Sequence, residues 1–548
     1  MKRCWTITVA FLAAACLAGT SFSEARAEED VGRLIQSTRE LRAKFQSDPY
    51  RSGYHFVTPE GLCGPFDPNG ALFWKGRCHL MYIFQNEKGH CWGHVSSTDL
   101  VHWRHHPPAL EPDEDDAGIF SGGASLDKNG VPTITYWGLG NPRGICIATS
   151  TDDLLETWTK SPHNPVIRET ALGLAAVKTD GGEVVYGAAD PTAVWIHNGR
   201  YYLLTGNLLV LREYGLNRNM PQYLGDTADL FVSDDLAHWQ HLYPFYQSDR
   251  KWTRADEDNM CPDFFPLPAG PDGGPASDRH MMLFISHNLG CQYYVGRYAG
   301  DRFEPETHGR MTWVDNAFFA PESLVDHRGR RIMWAWVFDG RSAETRSESG
   351  WSGTMSLPRV LWLGDDNTLR MRPPEELALL RYHPRKIENL AVPTTRPCVA
   401  RCPAVPDGEL PLEGVGGNSI ELAAEMLPEG AEQFGLKVCC SPGGEEQTLV
   451  FYDAREKKLK IDTTKSSLGE GPKSVESGPF ELKPGEPLKL RVFVDKSVVE
   501  VFAGDRQAVM RRIYPTRRDS LGVALFSRGG STKVPCLQAW DMAAANPW

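Results

Sequence analysis

Asp67 and Asp190 each stand directly before a proline where a short apolar strand begins, and Asp263 and Glu322 occupy matching openings later in the chain. Glu257 and Asp258 lie just upstream of Asp263. A carboxylate held ionised by turn amides can attack an anomeric carbon, and a second carboxyl kept protonated can pass its proton to a departing oxygen. A further carboxylate can grip ring hydroxyls while positive charge develops on a sugar. Two such groups flanking a glycosidic bond are the minimum machinery of glycoside hydrolysis. Aspartate also favours turns and strand ends for local reasons, so no single one of these residues carries weight. Several carboxylates around one axis repel each other, and it is the set that points to a function.

The elements that would gather them recur. The sequence predicts a repeated unit of apolar strand, tight turn and second strand, opening in turn at Asp67-Pro68, Phe120-Ser121, Asp190-Pro191, Cys261-Pro262 and Pro321-Glu322. A second echo, with Leu100, Leu154 and Leu236 each following an Asp and preceding Trp103, Trp158 and Trp239, fits the outer hairpin of a propeller blade. Radial repetition protects strand edges and leaves a central channel where the opening residues converge. The whole predicts an all-β chain whose residues 53–365 form a five-bladed β-propeller. Residues 366–395 read as a linker in which Pro373-Pro374 starts a short helix over residues 375–381, with Leu377 and Leu380 inward. From 396 to 548, alternating strands between Gly, Pro and charged turns predict an antiparallel β-sandwich. Residues 28–52 read as a leader whose helical stretch from Val31 to Phe45 sets Leu34, Ile35, Leu41 and Phe45 on one side, to pack on the first domain.

At 548 residues and 41% hydrophobic content the chain can bury a large core in two or more domains. A net charge of -12 with no Lys/Arg-rich tract argues against nucleic acid as a partner. Lys2 and Arg3, an apolar run from Ile7 to Ala18, and Ala25-Arg26-Ala27 spell an export signal over residues 1–27, cleaved near Ala27. Lipid anchoring at Cys16 is the weaker alternative, because no large aliphatic residue stands three positions before it. The apolar run is too short to span a bilayer, and no other stretch is long enough. The 13 cysteines show no framework spacing and are expected mostly as buried thiols. Cys398 with Cys402, and Cys439-Cys440, lack the second pair of a zinc site. His102, His105 and His106 read as surface or hydrogen-bonded turn residues rather than metal ligands.

Phe66-Asp67-Pro68-Asn69-Gly70 resembles the nucleophile motif of glycoside hydrolase family 32, the invertase, inulinase and levanase family. Gln85, Trp92-Gly93-His94 and Phe120-Ser121-Gly122-Gly123 are similar to that family's next motifs, in order. Asp190-Pro191, Cys261-Pro262-Asp263, Leu357-Pro358-Arg359 and the run from Phe493 to Phe502 continue the series over nearly the whole mature chain. Asp-Pro-Asn-Gly alone is also a good turn; the ordered set is the specific part. The resemblance implies a five-bladed β-propeller followed by a β-sandwich, and retaining hydrolysis of a β-fructofuranosidic bond in a small-molecule or oligosaccharide substrate. It implies Asp67 as nucleophile and Asp190 as transition-state stabiliser, with no metal or organic cofactor. Asn69, Gln85, Trp92, Phe120 and Ser121 are expected to shape the fructose pocket, with Asp263 and Glu322 as further substrate-binding candidates.

The chain departs from that family where its acid/base Glu stands directly before the Cys. Here the residue is Met260, which transfers no proton. Strand residues two apart share a face, so Asp258 is expected to point with position 260, while Glu257 reaches further and a bulge can re-aim it. One of these two is expected to supply the proton, with Glu322 a weaker substitute. Ala189 replaces an Arg beside Asp190, removing a bidentate donor and a charge that lowers carboxylate pKa values, and Phe66 replaces a common Asn. These changes leave three alternatives open: a related furanosidase such as an arabinofuranosidase, a fructosyltransferase, or a carbohydrate-binding protein.

Overall fold

The computed structural model describes residues 30–114, 116–179, 182–208, 210, 225–392, 408–469 and 471–546. The stretch expected as an export signal, Cys398 and Cys402 lie outside the described residues. The chain divides after Arg51 into a leader and one large unit. In the leader, residues 30–47 are helical, as the apolar spacing predicted. Val31, Leu34, Ile35 and Leu41 stay exposed there, while Phe45 is buried with the Arg51 guanidinium 4.4 Å from its ring centroid.

Five antiparallel sheets of four or five strands follow one another from Pro68 to Arg372, with a two-stranded hairpin, Leu174–Thr179 and Gly182–Gly187, between the second and third. Their innermost strands are Pro68–Trp74, Asp116–Leu126, Ala189–Pro191, Met260–Pro268 and Phe318–Val325. Four pair with the next strand in sequence, Arg77–Asn86, Pro132–Gly140, Ala276–Ser286 and Arg331–Val337; Ala189–Pro191 passes over the short strand Trp195–His197 and pairs with Arg200–Gly206. The inner strands touch in order and the fifth returns to the first, closing a five-bladed propeller. The turns explain why these strands reverse where they do. Lys75-Gly76 and Asn198-Gly199 take φ of 47 and 81°, and of 49 and 75°; such left-handed pairs match the twist of a two-residue hairpin. The outer echo is a shared turn as well. Leu100, Leu155 and Leu236 are left-handed at φ 65, 57 and 67°. Asp99 Oδ1 accepts from the Val101 and His102 amides at 3.1 and 2.8 Å, and Asp235 Oδ1 from Ala237 and His238 at 2.9 Å each.

The C-terminal part is a sandwich of two six-stranded sheets. Inner-face residues such as Ile420, Val492 and Val499 of one sheet meet Leu436, Val450 and Leu525 of the other in a dry core. Two boundaries differ from those expected. Leu369–Arg372 is the outermost strand of the fifth blade, so the propeller runs past residue 365. Arg381–Val392, expected within the linker, is an edge strand of the sandwich paired along Ser531–Met542. Most of its side chains are exposed, so it carried little apolar alternation to reveal it. Between the two strands only Glu375–Leu380 is helical, a 3-10 turn that buries Leu377 and Leu380.

Propeller and sandwich share a buried polar joint. Arg359 donates to Glu500 Oε1 through Nη2 at 2.7 Å and Nε at 3.0 Å, and the Leu357 amide donates to Oε2 at 3.0 Å. His55 stands between Glu500, at 3.4 Å, and Asp495, at 3.0 Å. Burial would raise the Glu500 pKa, but Arg359 and then His55 bring it below the ordinary value.

Candidate active site

All five inner strands are irregular near their starts, and four of the register breaks fall at Asn69/Leu72, Ala189/Pro191, Met260/Asp263 and Phe319/Glu322. At these places Gly70, Asp190, Cys261 and Ala320 are left-handed, with φ of 53, 39, 47 and 45°. Bulges of this kind re-aim side chains. At Gly70 the requirement is steric as well: an added Cβ would lie 2.8 Å from Met81 Sδ and 3.0 Å from the Trp92 ring.

The bulges bring Asp67 and Asp190 together around one sulfur atom. Cys261 Sγ lies 3.3 Å from Asp190 Oδ2 and 3.9 Å from Asp67 Oδ2. Ser121 Oγ donates to Asp67 Oδ2 at 2.7 Å, and Asp67 Oδ1 has no hydrogen-bond partner among the described residues. Burial pushes the Asp67 carboxyl up to about 6, against the Ser121 hydrogen bond. Burial pushes Asp190 up to about 7, and the neighbouring Asp67 charge adds to it.

Asn69 braces this centre from behind. Its Nδ2 donates to the Asp67 carbonyl at 2.8 Å, and its Oδ1 accepts from the Gly122 amide at 3.0 Å. Asn69 is buried, and these two bonds tie the turn at Asp67 to blade two. The expectation for Trp92 is corrected. It has no exposed surface, it donates to the Phe120 carbonyl at 3.0 Å, and it packs under Gly70. The half-buried Phe120 faces His90 at 4.6 Å between ring centroids. Gln85 is exposed, with Nε2 2.5 Å from His90 Nε2. A second wall comes from the fifth blade, where Phe319, Trp336 and Phe338 cluster with centroids 4.2–6.1 Å apart.

The acid expected from Glu257 or Asp258 is not supported by the geometry. Glu257 is fully buried; Oε1 accepts from Arg310 at 2.9 Å and the Arg254 amide at 2.8 Å, and Oε2 from Gln292 at 2.9 Å. Burial would raise its pKa, but Arg310 and the other donors hold it below the ordinary value. A carboxylate so satisfied is a structural anion. Asp258 is equally buried and is taken up by His287, which donates its amide to Oδ1 at 2.8 Å and holds Oδ2 with Nδ1 at 2.6 Å. Met260 is 2% exposed and lies in the core.

Asp263 and Glu322 do not join Asp67 and Asp190. They lie further along the inner strands, where Asp263 bonds Ser323 Oγ and Glu322 Oε1 accepts from the Ala71 amide at 2.9 Å. Burial raises both carboxyls, the Asp263 charge adding to Glu322, with Arg331 opposing in each case. Their expected substrate contact and the substitute-acid role of Glu322 have no support in this arrangement. Phe66 is buried in the core shared by blades one and five, and Ala189 in the main propeller core, so neither replacement leaves a polar vacancy at the surface. Among the described residues no group of three or more His, Cys, Asp or Glu is placed to hold a metal ion.

His287 is the site residue that motif reading missed. It follows the second strand of blade four, far in sequence from the Cys-Pro-Asp motif, and only the acidic partner at position 258 hinted at a cation nearby.

A five-bladed propeller with two coupled carboxyls at the starts of its inner strands, joined to a β-sandwich, is the framework of a glycosidase. Residues 55–373 match the N-terminal domain of glycosyl hydrolases family 32, and residues 402–541 match that family's C-terminal domain. The chain belongs to glycoside hydrolase family 32. It is 29% identical to an insoluble β-fructofuranosidase isoenzyme of Arabidopsis thaliana, over 94% of each chain. It is 30% identical to a levanase of Bacillus subtilis, over 90% of this chain and 71% of that one. The fold is similar to that of fructan 1-exohydrolase IIa from Cichorium intybus, with a TM-score of 0.76 at 24% identity, covering 91% of this chain and 98% of the other.

Proposed function

We propose that this protein hydrolyses β-fructofuranosidic bonds of the sucrose and fructan type with retention of configuration, after export from the cell. The observation that carries this reading is the pairing of Asp67 and Asp190 across Cys261. Asp67, with one oxygen taken by Ser121 and the other without a donor among the described residues, attacks the anomeric carbon and forms a fructosyl ester. Asp190 holds fructose hydroxyls as positive charge develops on the ring. The relatives named above, a β-fructofuranosidase and a levanase, support the substrate class. The N-terminal sequence from Lys2 to Ala27 supports export.

Incubating the mature protein with sucrose, inulin and levan is expected to release fructose. In aqueous methanol the trapped product is expected to be the methyl β-fructofuranoside, the anomer that retention requires. Asp67→Asn should reduce release to background. Release unchanged in that variant, or an inverted methanol adduct, would refute the mechanism; no release from any of the three would refute the substrate class.

A further inference from the structure

We propose that His287 is the catalytic acid and base of this site, and that Asp258 is its positioning residue. The inference rests on the fructofuranosidase reading and supplies the proton that Met260 cannot.

The register of blade four makes the pair. Met260 lies opposite Ile285 in the antiparallel ladder, and two residues beyond each lie Asp258 and His287. Asp258 therefore faces His287 rather than the substrate. It fixes the imidazole by two bonds, to the backbone amide at 2.8 Å and to Nδ1 at 2.6 Å. A carboxylate on Nδ1 sets the tautomer in which Nε2 exchanges the working proton. Nε2 has no hydrogen-bond partner among the described residues, and the side chain is 33% exposed, whereas Asp258 is 0% exposed. The ring stands 5.7 Å from that of Phe319, on the inner strand of blade five. Asn316 Nδ2 holds the His287 carbonyl at 2.6 Å. The acidic groups facing the ring are Asp258 beneath it, Asp190 from blade three and Asp67 from blade one. Burial alone would lower the His287 pKa, but Asp258 and then Asp190 and Asp67 outweigh it and hold the group at about 9. The ring thus lies within electrostatic reach of both carboxyls.

The proton count closes. In the first step an Asp67 oxygen lone pair forms the bond to the anomeric carbon, and the bond from that carbon to the leaving oxygen breaks. Both electrons pass to that oxygen as it takes the Nε2 proton, leaving neutral imidazole. In the second step Nε2 removes a proton from water as the water oxygen bonds to the anomeric carbon. The ester bond breaks, and carboxylate and imidazolium are restored.

The test compares two leaving groups. Sucrose needs a proton on its departing oxygen; a nitrophenyl β-fructofuranoside does not. With His287→Gln, sucrose hydrolysis should fall by about 10²–10⁴-fold, the usual worth of general acid–base catalysis. The burst of nitrophenolate should stay within about tenfold of wild type. Azide, a nucleophile that needs no base, should restore turnover and yield fructosyl azide. Asp258→Asn should move the alkaline limb of the sucrose pH profile to lower pH, an effect that mere loosening of the fold does not produce. Equal losses on both substrates, or sucrose hydrolysis by His287→Gln within about tenfold of wild type, would overturn the assignment alone. If the wild-type chain cleaves neither substrate, the fructofuranosidase reading falls and takes the assignment with it.

Discussion

Asp190 works against the fold that holds it, and replacing it should make the protein more stable and inactive. The residue is 6% exposed, sits beside Asp67, and has φ of 39°. Its carboxyl is raised to about 7 by burial and by the Asp67 charge, against about 3.9 in an unfolded chain. The sign follows from linkage. An acid with a raised folded pKa costs nothing below its unfolded pKa. The cost grows as pH rises from there to the folded value, and is constant above it. At about 1.36 kcal/mol per tenfold, the ionised group costs at most about 4 kcal/mol. Asn keeps the acceptor for the Cys261 thiol and tolerates the left-handed backbone, but it gives up attraction to His287. The expected net gain for Asp190→Asn is about 2–3 kcal/mol above neutral pH and close to zero near pH 4. Guanidinium unfolding followed by tryptophan fluorescence at several pH values reads this directly, alongside fructose release, which should be lost. A gain independent of pH would mean that backbone relief, not charge, is responsible. No gain at any pH would refute the electrostatic account of the site.

Three further outcomes are expected. The kcat/KM for sucrose should rise with pH as the Asp67–Asp190 pair ionises between about 6 and about 7, since the nucleophile must be a carboxylate; a profile flat through that range would contradict it. Arg359→Met leaves Glu500 buried without its main partner and should cost about 3–5 kcal/mol in denaturant unfolding, whereas the double variant with Glu500→Gln should recover part of that loss. Burial first, then the Asp190 and Asp67 charges, raise the Cys261 thiol well above its ordinary pKa, so iodoacetamide at neutral pH should inactivate the protein far more slowly than it alkylates a free thiol; fast inactivation would mean that the thiol is ionised.

The propeller was legible because its units repeat strand, turn and strand with ordinary turn chemistry, as at Asn198-Gly199. Asp67 and Asp190 were legible because each sits in a motif whose local backbone does the positioning. The acid was not. Glu257 and Asp258 have the right chemistry and lie in the right stretch, yet burial and their partners, Arg310 and His287, are tertiary facts that no spacing encodes. Trp92 misled for a related reason: an aromatic beside a sugar motif looks like a stacking face, and only the close approach of Gly70 shows that it is packed beneath the turn. The sandwich strand from Arg381 to Val392 hid because an exposed edge strand needs little apolar alternation.

The ring closes where its first-made and last-made blades meet, without a strand borrowed from the far end of the chain. The inner strand of blade one lies against that of blade five, Glu322 takes the Ala71 amide at 2.9 Å, and Phe66 shares a core with Leu324, Ile332 and Trp334. The residue next to Phe66 is Asp67. During synthesis, therefore, Asp67 emerges early but the blade that packs beside it arrives some 250 residues later. A nascent chain that ends before blade five has no closed channel and no platform behind Asp67. The pairing of Asp67 with Asp190 is thus tied to completion of the ring, and a chain still short of its fifth blade holds no finished site.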